Sequence, residues 1–145
     1  MATLNNLHSL GQSTWLNYLR SSFIRSGELA EHVKHGIQGV TANAQVYERA
    51  ILGSSDYDAG LRRAMAEGKP ARRIHEALLV DDVQRAADVL HPFFETSHRL
   101  DGFVSFELEP SLLHSVAATV AEVPPSQVSP MRPKANKNTA DSRAI

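Results

Sequence analysis

The stretch GVTANAQVYERAI, residues 39–51, changes character at a single small amide, Asn43. Before Asn43 the chain is short, apolar and β-branched, which predicts a strand over residues 38–42. After it, apolar residues recur at helical spacing, which predicts a helix over residues 45–52. The stretch therefore indicates a buried strand that turns directly into a helix, with a polar side chain at the junction.

Two further segments end in the same way. Residues 13–16 are a brief strand candidate that is followed by Asn17, and residues 102–106 are a third candidate that is followed by Glu107. Because long helical stretches separate these strands, the pattern predicts right-handed crossovers and a parallel sheet, and the fold class is α/β. A three-stranded parallel sheet leaves one face and two edges that something else must cover.

The segments between the strands carry ordinary helix signals. Residues 18–26 and 28–35 are predicted helices, each closed by a glycine. Ser55 is a plausible N-cap for the next helix, with Asp56 and Asp58 in its first turn. Pro70 marks the start of another helix, and Asp81 or Asp82 is expected to cap a further one. Residues 112–122 are the last predicted helix.

Composition limits the possible classes of protein. The chain has 145 residues, 42% apolar and 21% charged, with a net charge of -1 and no cysteine. This excludes disulfide scaffolds and thiolate chemistry, and it gives no electrostatic reason to expect nucleic acid or an anionic membrane as a partner. We recognise no secretion signal and no segment of the roughly 20 apolar residues that would cross a bilayer, so a cytoplasmic protein is expected.

The composition changes near Val123. The following segment, PPSQVSPMRPKANKNTADSRAI, is rich in proline and poor in apolar residues, so it cannot bury enough surface to offset the entropy lost on ordering. The prediction is an ordered part over residues 1–122 and a disordered tail over residues 123–145.

Polar residues at strand ends have both a functional and a structural explanation. In parallel α/β proteins, ligands bind at the carboxyl ends of the strands. Asn17 and Asn43 could instead simply cap the helices that follow them, and Glu107 could be a solvated edge charge. Taken singly, each residue favours the structural explanation, whereas three such residues at equivalent positions favour a site.

Several motifs also resemble a known family. They are GQSTWLNYL, RSGEL, GVTANAQVYERAI, GSSDYD, DDVQRAADVL and DGFVSFELEP, which are similar in order and spacing to the opening of bacterial transaldolases. The likeness runs from about Leu10 to Glu122. It implies that the ordered part is the first three β/α units of a TIM (β/α)8-type barrel, left incomplete since such a barrel needs about 250 residues.

The resemblance implies roles for four residues. Asn17 stands where the family has a catalytic aspartate, and an amide cannot act as a general acid or base in its place. Thr41 and Asn43 match a Thr-Ser-Asn-Pro-type motif whose asparagine binds the dihydroxyacetone part of the substrate. Ala42 and Ala44 depart from that motif. Glu107 matches a glutamate that orients a water molecule.

The resemblance also implies a nucleophilic lysine that this sequence lacks. The family uses a lysine in an apolar fourth strand, where burial favours the neutral amine that attacks a ketone. None of the lysines in this sequence has such surroundings. The four lysines are Lys34, Lys69, Lys134 and Lys137. We therefore expect a chain truncated before the Schiff-base lysine and inactive by itself, with sugar phosphates as substrates of the family.

No other motif indicates a cofactor or metal site. His32 and His35 have a spacing that can bind metal, but no third ligand is fixed nearby, so solvated helix residues are the better interpretation. The glycines form no phosphate-binding pattern, and no cofactor is predicted. The alternative to a truncated enzyme is a non-catalytic interaction fragment that associates with itself through its exposed sheet face and edges.

Overall fold

The computed structural model describes residues 4–106 and 114–117. Within them lie six helices and three strands. In chain order these are α1 Leu4–His8, β1 Trp15–Asn17, α2 Ser21–Arg25, α3 Glu28–Lys34, β2 Gly39–Ala42, α4 Ala44–Leu52, α5 Asp58–Ala66, α6 Ala71–Thr96 and β3 Phe103–Phe106.

The three strands form one parallel sheet in the order β1-β2-β3. The predicted α/β class and parallel pairing are confirmed. Each strand begins within two residues of its predicted start, since β-branched and aromatic residues bounded by polar or glycine positions define strands locally.

The two faces of the sheet differ in exposure. Val40 and Ala42 of β2 are fully buried, and on the same face Leu16, Val104 and Phe106 pack against the main hydrophobic cluster. The cluster also contains apolar side chains of α2, α3, α4 and α6, so the helices cover this face.

Within the described residues the opposite face is more exposed, although the ring of Phe103 contacts that of Phe94 in α6, with 5.4 Å between the centroids. Alternation places Trp15, Gly39 and Phe103 there in one row of the register, and Trp15 and Phe103 are 39% and 43% exposed. The sheet is therefore a half-covered layer, as expected from a parallel sheet with so few strands.

Helix α2 is shorter than predicted. The sequence indicated a helix over residues 18–26, but Arg20 is extended, with φ -155° and ψ 143°, and the helix begins at Ser21. Helices α3 and α4 confirm the predictions for residues 28–35 and 45–52 to within one residue.

The predicted start of α5 is wrong. The hydroxyl of Ser55 caps nothing, since α5 begins at Asp58 after Tyr57 with no side-chain cap. Asp58 does lie in the first turn of α5, as predicted, but Asp56 does not. The Asp56 carboxylate accepts a hydrogen bond from the Ser22 backbone N–H at 2.9 Å, and it thereby caps α2 from a distant part of the sequence.

The helix predicted to begin at Asp81 or Asp82 does not exist as a separate element. Helix α6 runs unbroken through both residues, from Ala71 after Pro70 to Thr96. A cap residue must offer its side-chain oxygen to the N–H groups of its own helix. Asp82 instead accepts hydrogen bonds from Tyr47 and Tyr57, and Asp81 forms an ion pair with Arg85 at 2.8 Å.

The chain divides into two compact units, Met1–Glu109 and Pro110–Ile145, and all the elements above lie in the first. The predicted tail over residues 123–145 and most of the predicted helix over residues 112–122 lie outside the described residues. In the described part of the chain, no helix is both long and apolar enough to cross a membrane.

Candidate functional site

Three neutral polar side chains lie side by side on the open face of the sheet. The register pairs Asn17 with Thr41 and Thr41 with Ser105, one on each strand. Neighbouring strands lie about 4.8 Å apart, so the row spans roughly 10 Å. Two amide or hydroxyl groups flanking a third can hydrogen-bond several oxygens of a small polyol, but none of them can transfer a proton near neutral pH.

Asn17 and Thr41 thus occupy neighbouring positions. The sequence analysis instead placed Asn17 and Asn43 at equivalent strand ends, which is wrong, because the partner of Asn17 is Thr41, two residues before Asn43. Asn17 is the last residue of β1 and is exposed, whereas Thr41 is half-buried in the central strand. Glu107, the predicted third strand-end residue, lies outside the described residues. Ser105 was not singled out from the sequence, although its position two residues before Glu107 in an alternating strand was a usable signal.

Asn43 is the N-cap of α4. Its Oδ1 accepts a hydrogen bond from the Val46 N–H at 2.9 Å, so the structural explanation of this residue is confirmed. The cap commits the oxygen of the amide and fixes the side chain. Its Nδ2 group has no hydrogen-bond partner among the described residues, so it remains available as a donor to a ligand.

A tryptophan lies against the glycine of the central strand. A Cβ atom added to Gly39 would be 2.4 Å from Cε2 of Trp15, so the indole occupies the space where a side chain would stand. The Trp15 Nε1 donates a hydrogen bond to Ser13 Oγ at 2.8 Å. An aromatic surface therefore adjoins the polar row on the same face.

A buried carboxylate lies behind this region, in the helical layer. Asp82 is 1% exposed, and its Oδ2 accepts hydrogen bonds from Tyr57 Oη at 2.7 Å and from Tyr47 Oη at 3.1 Å. Burial raises the pKa of Asp82, while the hydrogen bonds from Tyr57, Tyr47 and Ser21 act against that change. Burial likewise raises the pKa of both tyrosines, which keeps their hydroxyl groups protonated as donors.

The described lysines are unsuited to Schiff-base formation. Lys34 is 68% exposed and pairs with Glu31 at 2.5 Å, and Lys69 is 52% exposed and pairs with Glu67 at 2.7 Å. Neither is held in apolar surroundings that would favour the neutral amine. Lys134 and Lys137 lie outside the described residues.

The described residues contain no group of three or more His, Asp or Glu side chains that could hold a metal ion. A groove of about 420 Å3 does exist between α4, α5 and α6. Its lining is mostly apolar and includes no residue of the strands. The groove is therefore separate from the polar row.

Comparison with known proteins identifies the family. Residues 15–123 match the family model described as transaldolase/fructose-6-phosphate aldolase. The chain belongs to this family. The matched segment contains the sheet, the polar row and the Asp82 network, so the resemblance seen in the motifs is confirmed.

Individual transaldolases are also similar. Transaldolase 2 of Nostoc punctiforme is 40% identical over 120 residues, which cover 82% of this chain and 32% of the relative. A transaldolase of Trichodesmium erythraeum is 35% identical over 120 residues with the same coverage. That of Thiobacillus denitrificans is 37% identical over 123 residues, covering 84% and 34%. The chain spans about a third of the length of these relatives.

Proposed function

We propose that residues 15–123 are the first three β/α units of a transaldolase-type (β/α)8 barrel, and that the open sheet face is the inner face of that barrel. The observation that carries this is the row of Asn17, Thr41 and Ser105, which lies on the face opposite the helices in a chain of this family. In such barrels the helices lie outside the strands and the active site lies at the carboxyl ends of the strands.

The activity of the family is transfer of a dihydroxyacetone unit between sugar phosphates through a lysine Schiff base. Within that reaction, Thr41 and the free Nδ2 of Asn43 hydrogen-bond the hydroxyl groups of the dihydroxyacetone unit, and Glu107 orients a water molecule. Asn17 occupies the position of the acid/base aspartate. Sugar phosphates in the cytoplasm are accordingly the proposed substrate class.

We also propose that the 145-residue polypeptide does not catalyse this reaction by itself. Its described lysines are exposed and ion-paired, so a protonated amine would have to lose its proton and its partner before attacking a carbonyl. Asn17 adds a second deficit, because an amide has no proton to give or accept in the useful pH range.

The first test is trapping with borohydride. We expect incubation with fructose 6-phosphate and borohydride to leave the mass of the chain unchanged, while a full-length transaldolase such as that of Nostoc punctiforme gains a reduced adduct under the same conditions. An adduct on any lysine of this chain would contradict the proposed inactivity.

A hybrid barrel tests the site residues. The matching segment of the Nostoc punctiforme enzyme is replaced by residues 15–123 of this chain, with and without Asn17→Asp. We expect both hybrids to form the borohydride adduct, which reports a folded barrel, and Asn17→Asp to raise turnover by about 10²- to 10⁴-fold, the usual contribution of a general acid or base. Equal turnover would show that position 17 has no acid/base role.

A second candidate function is a non-catalytic fragment that associates with itself. The exposure of Trp15 and Phe103 on the open face favours it, since both β1 and β3 also present an unpaired strand edge within the described residues. The two proposals differ in what covers that face: further strands of a barrel in the first, and a second copy of the chain in the other.

A further inference from the structure

The two helices that follow the site strands are tied to one buried carboxylate. Helix α2 follows Asn17, and α4 follows Asn43. Each helix has its first turn linked to Asp82 of α6 through a tyrosine hydroxyl group, and the two links meet on the same oxygen atom, Oδ2.

The link to α4 is direct. Tyr47 lies in the first turn of α4, and its backbone N–H donates to the Asn43 carbonyl at 3.0 Å. Its ring is fully buried, and its hydroxyl group donates to Asp82. The turn that Asn43 caps is thus attached to α6 by the same residue that makes the first hydrogen bond of the helix.

The link to α2 has two parts: a hydrogen bond between the Ser21 side chain and Asp82, and the hydroxyl group of Tyr57, which both donates and accepts. Tyr57 Oη donates to Asp82 and accepts from the Ser21 backbone N–H at 3.0 Å, which is the first N–H of α2. A hydroxyl group has one proton. Because Asp82 takes that proton, a lone pair of Tyr57 faces Ser21, and the carboxylate thereby determines the orientation of the cap on α2.

We propose that Asp82 is a positioning residue that fixes both strand-to-helix junctions of the candidate site, the one after Asn17 through Tyr57 and the one after Asn43 through Tyr47. The importance of these junctions for function rests on the proposed function above. The physical coupling itself requires no substrate.

A buried carboxylate at position 82 suits this network because it can accept more than one hydrogen bond. A network of buried hydrogen bonds is specific only when every member is satisfied, and no described buried side-chain nitrogen or oxygen lacks a partner. An acceptor-only carboxylate receives both tyrosine protons on one atom, which sets the distance between α2 and α4. An apolar residue at position 82 would leave two buried hydroxyl groups without an acceptor.

The test is an NMR comparison of the 145-residue chain with Tyr57→Phe, Tyr47→Phe and Asp82→Asn variants. The signals followed are the backbone amides of Ser21 and Val46 and the side-chain amides of Asn17 and Asn43. Tyr57→Phe is expected to shift the Ser21 and Asn17 signals and to speed hydrogen exchange at Ser21 by about tenfold, as for the loss of one ordinary hydrogen bond. Tyr47→Phe is expected to shift the Val46 and Asn43 signals, and Asp82→Asn to shift both sets.

Tyr18→Phe is the matched control, since the Tyr18 hydroxyl group forms no hydrogen bond with the described residues. Because Tyr18 follows Asn17 and its ring contacts Phe23 of α2, the control is judged by hydrogen exchange at Ser21 and by the Val46 and Asn43 signals, all of which it should leave unchanged. A general loss of stability would affect all the variants alike, so the separation into two sets is what distinguishes positioning. The inference is overturned if either tyrosine variant shifts both sets equally, or if Asp82→Asn shifts only signals of α6. If Asp82→Asn does not fold, the separation between the two tyrosine variants decides the question. None of these readings depends on catalysis.

Discussion

At the scale of single residues, the partners of a side chain decide its role. Asp82 and Asn43 are both small polar residues next to helical sequence, and both fit a helix cap by pattern. Asn43 is a helix cap, because its Oδ1 accepts a hydrogen bond from the Val46 N–H. Asp82 is not a helix cap, because its carboxylate accepts hydrogen bonds from the hydroxyl groups of Tyr47 in α4 and of Tyr57, which precedes α5.

Burial of Asp82 gives a prediction for stability against pH. Its pKa is raised in the folded chain above the ordinary value of about 3.9, so the folded state binds a proton more tightly than the unfolded state. The contribution of Asp82 to stability is therefore fully present below the unfolded pKa and is lost as the pH rises through the folded pKa.

The pH dependence of the free energy of unfolding is measured by urea denaturation from pH 3.5 upward, for the native chain and for the Asp82→Asn variant. The free energy of unfolding of the native chain, relative to the variant, should fall with rising pH by up to about 1.4 kcal/mol per pH unit within that window. Subtracting the variant removes other carboxylates such as Asp56, whose pKa is lowered mainly by its hydrogen bond to Ser22. A difference that does not change with pH would contradict the prediction.

At the scale of elements, the connection between α6 and β3 depends on one glycine. Gly102 has φ +89°, a left-handed conformation that favours glycine, and a Cβ there would be 2.7 Å from the backbone nitrogen of Phe94 in α6. Its N–H donates to the Gln38 carbonyl at 2.9 Å, just before β2. The position of β3 beside β2 therefore requires close approach of two backbones.

Gly102→Ala should destabilise the chain much more than Gly68→Ala. Gly68 has a similar φ of +68° but nothing within 4 Å of an added Cβ, so it isolates the conformational cost, about 1–2 kcal/mol. Gly102→Ala adds a clash with the backbone of α6, which cannot rotate away. We expect this clash to lower the free energy of unfolding by about 1–3 kcal/mol beyond the loss in Gly68→Ala. Urea denaturation of both variants gives the comparison, and equal losses would show that α6 yields to the extra methyl group.

The elements that sequence predicted well are those with local signals. Helix α3 follows a glycine, and α4 follows an asparagine cap, so neither needed distant residues to be recognised. The unbroken α6 and the shortened α2 depend on contacts between residues far apart in sequence, such as Asp82 with Tyr57 and Ser22 with Asp56. The candidate site was predicted only in part. Asn17 was recognised from its position after a strand and Thr41 from the family motif, whereas their pairing with each other and with Ser105 required the register.

At the scale of the whole molecule, the open sheet face predicts concentration-dependent association. An exposed aromatic side chain beside strand edges that are unpaired within the described residues favours contact between copies. We expect light scattering after size-exclusion chromatography to show a mass that increases with concentration, and Trp15→Gln to weaken that association by about tenfold, as for loss of a modest interface contact.

Leu100→Gln is the control, because Leu100 is 82% exposed but lies outside the sheet. It should leave the association unchanged. A defined oligomer would favour the interaction fragment, whereas an increase in mass without a defined end point would favour an uncovered barrel face. If both substitutions weakened association equally, the sheet face would not be the surface involved.

The indole that lies on Gly39 also makes the chain its own optical reporter. The sequence has a single tryptophan, and that side chain is 39% exposed on the sheet face opposite the main hydrophobic cluster of the described residues. Whatever comes to rest on that face, whether neighbouring strands or a second copy, removes water from the ring and moves its emission to shorter wavelength. The wavelength of maximum Trp15 emission therefore reports whether this sheet face is covered, and no added label is needed.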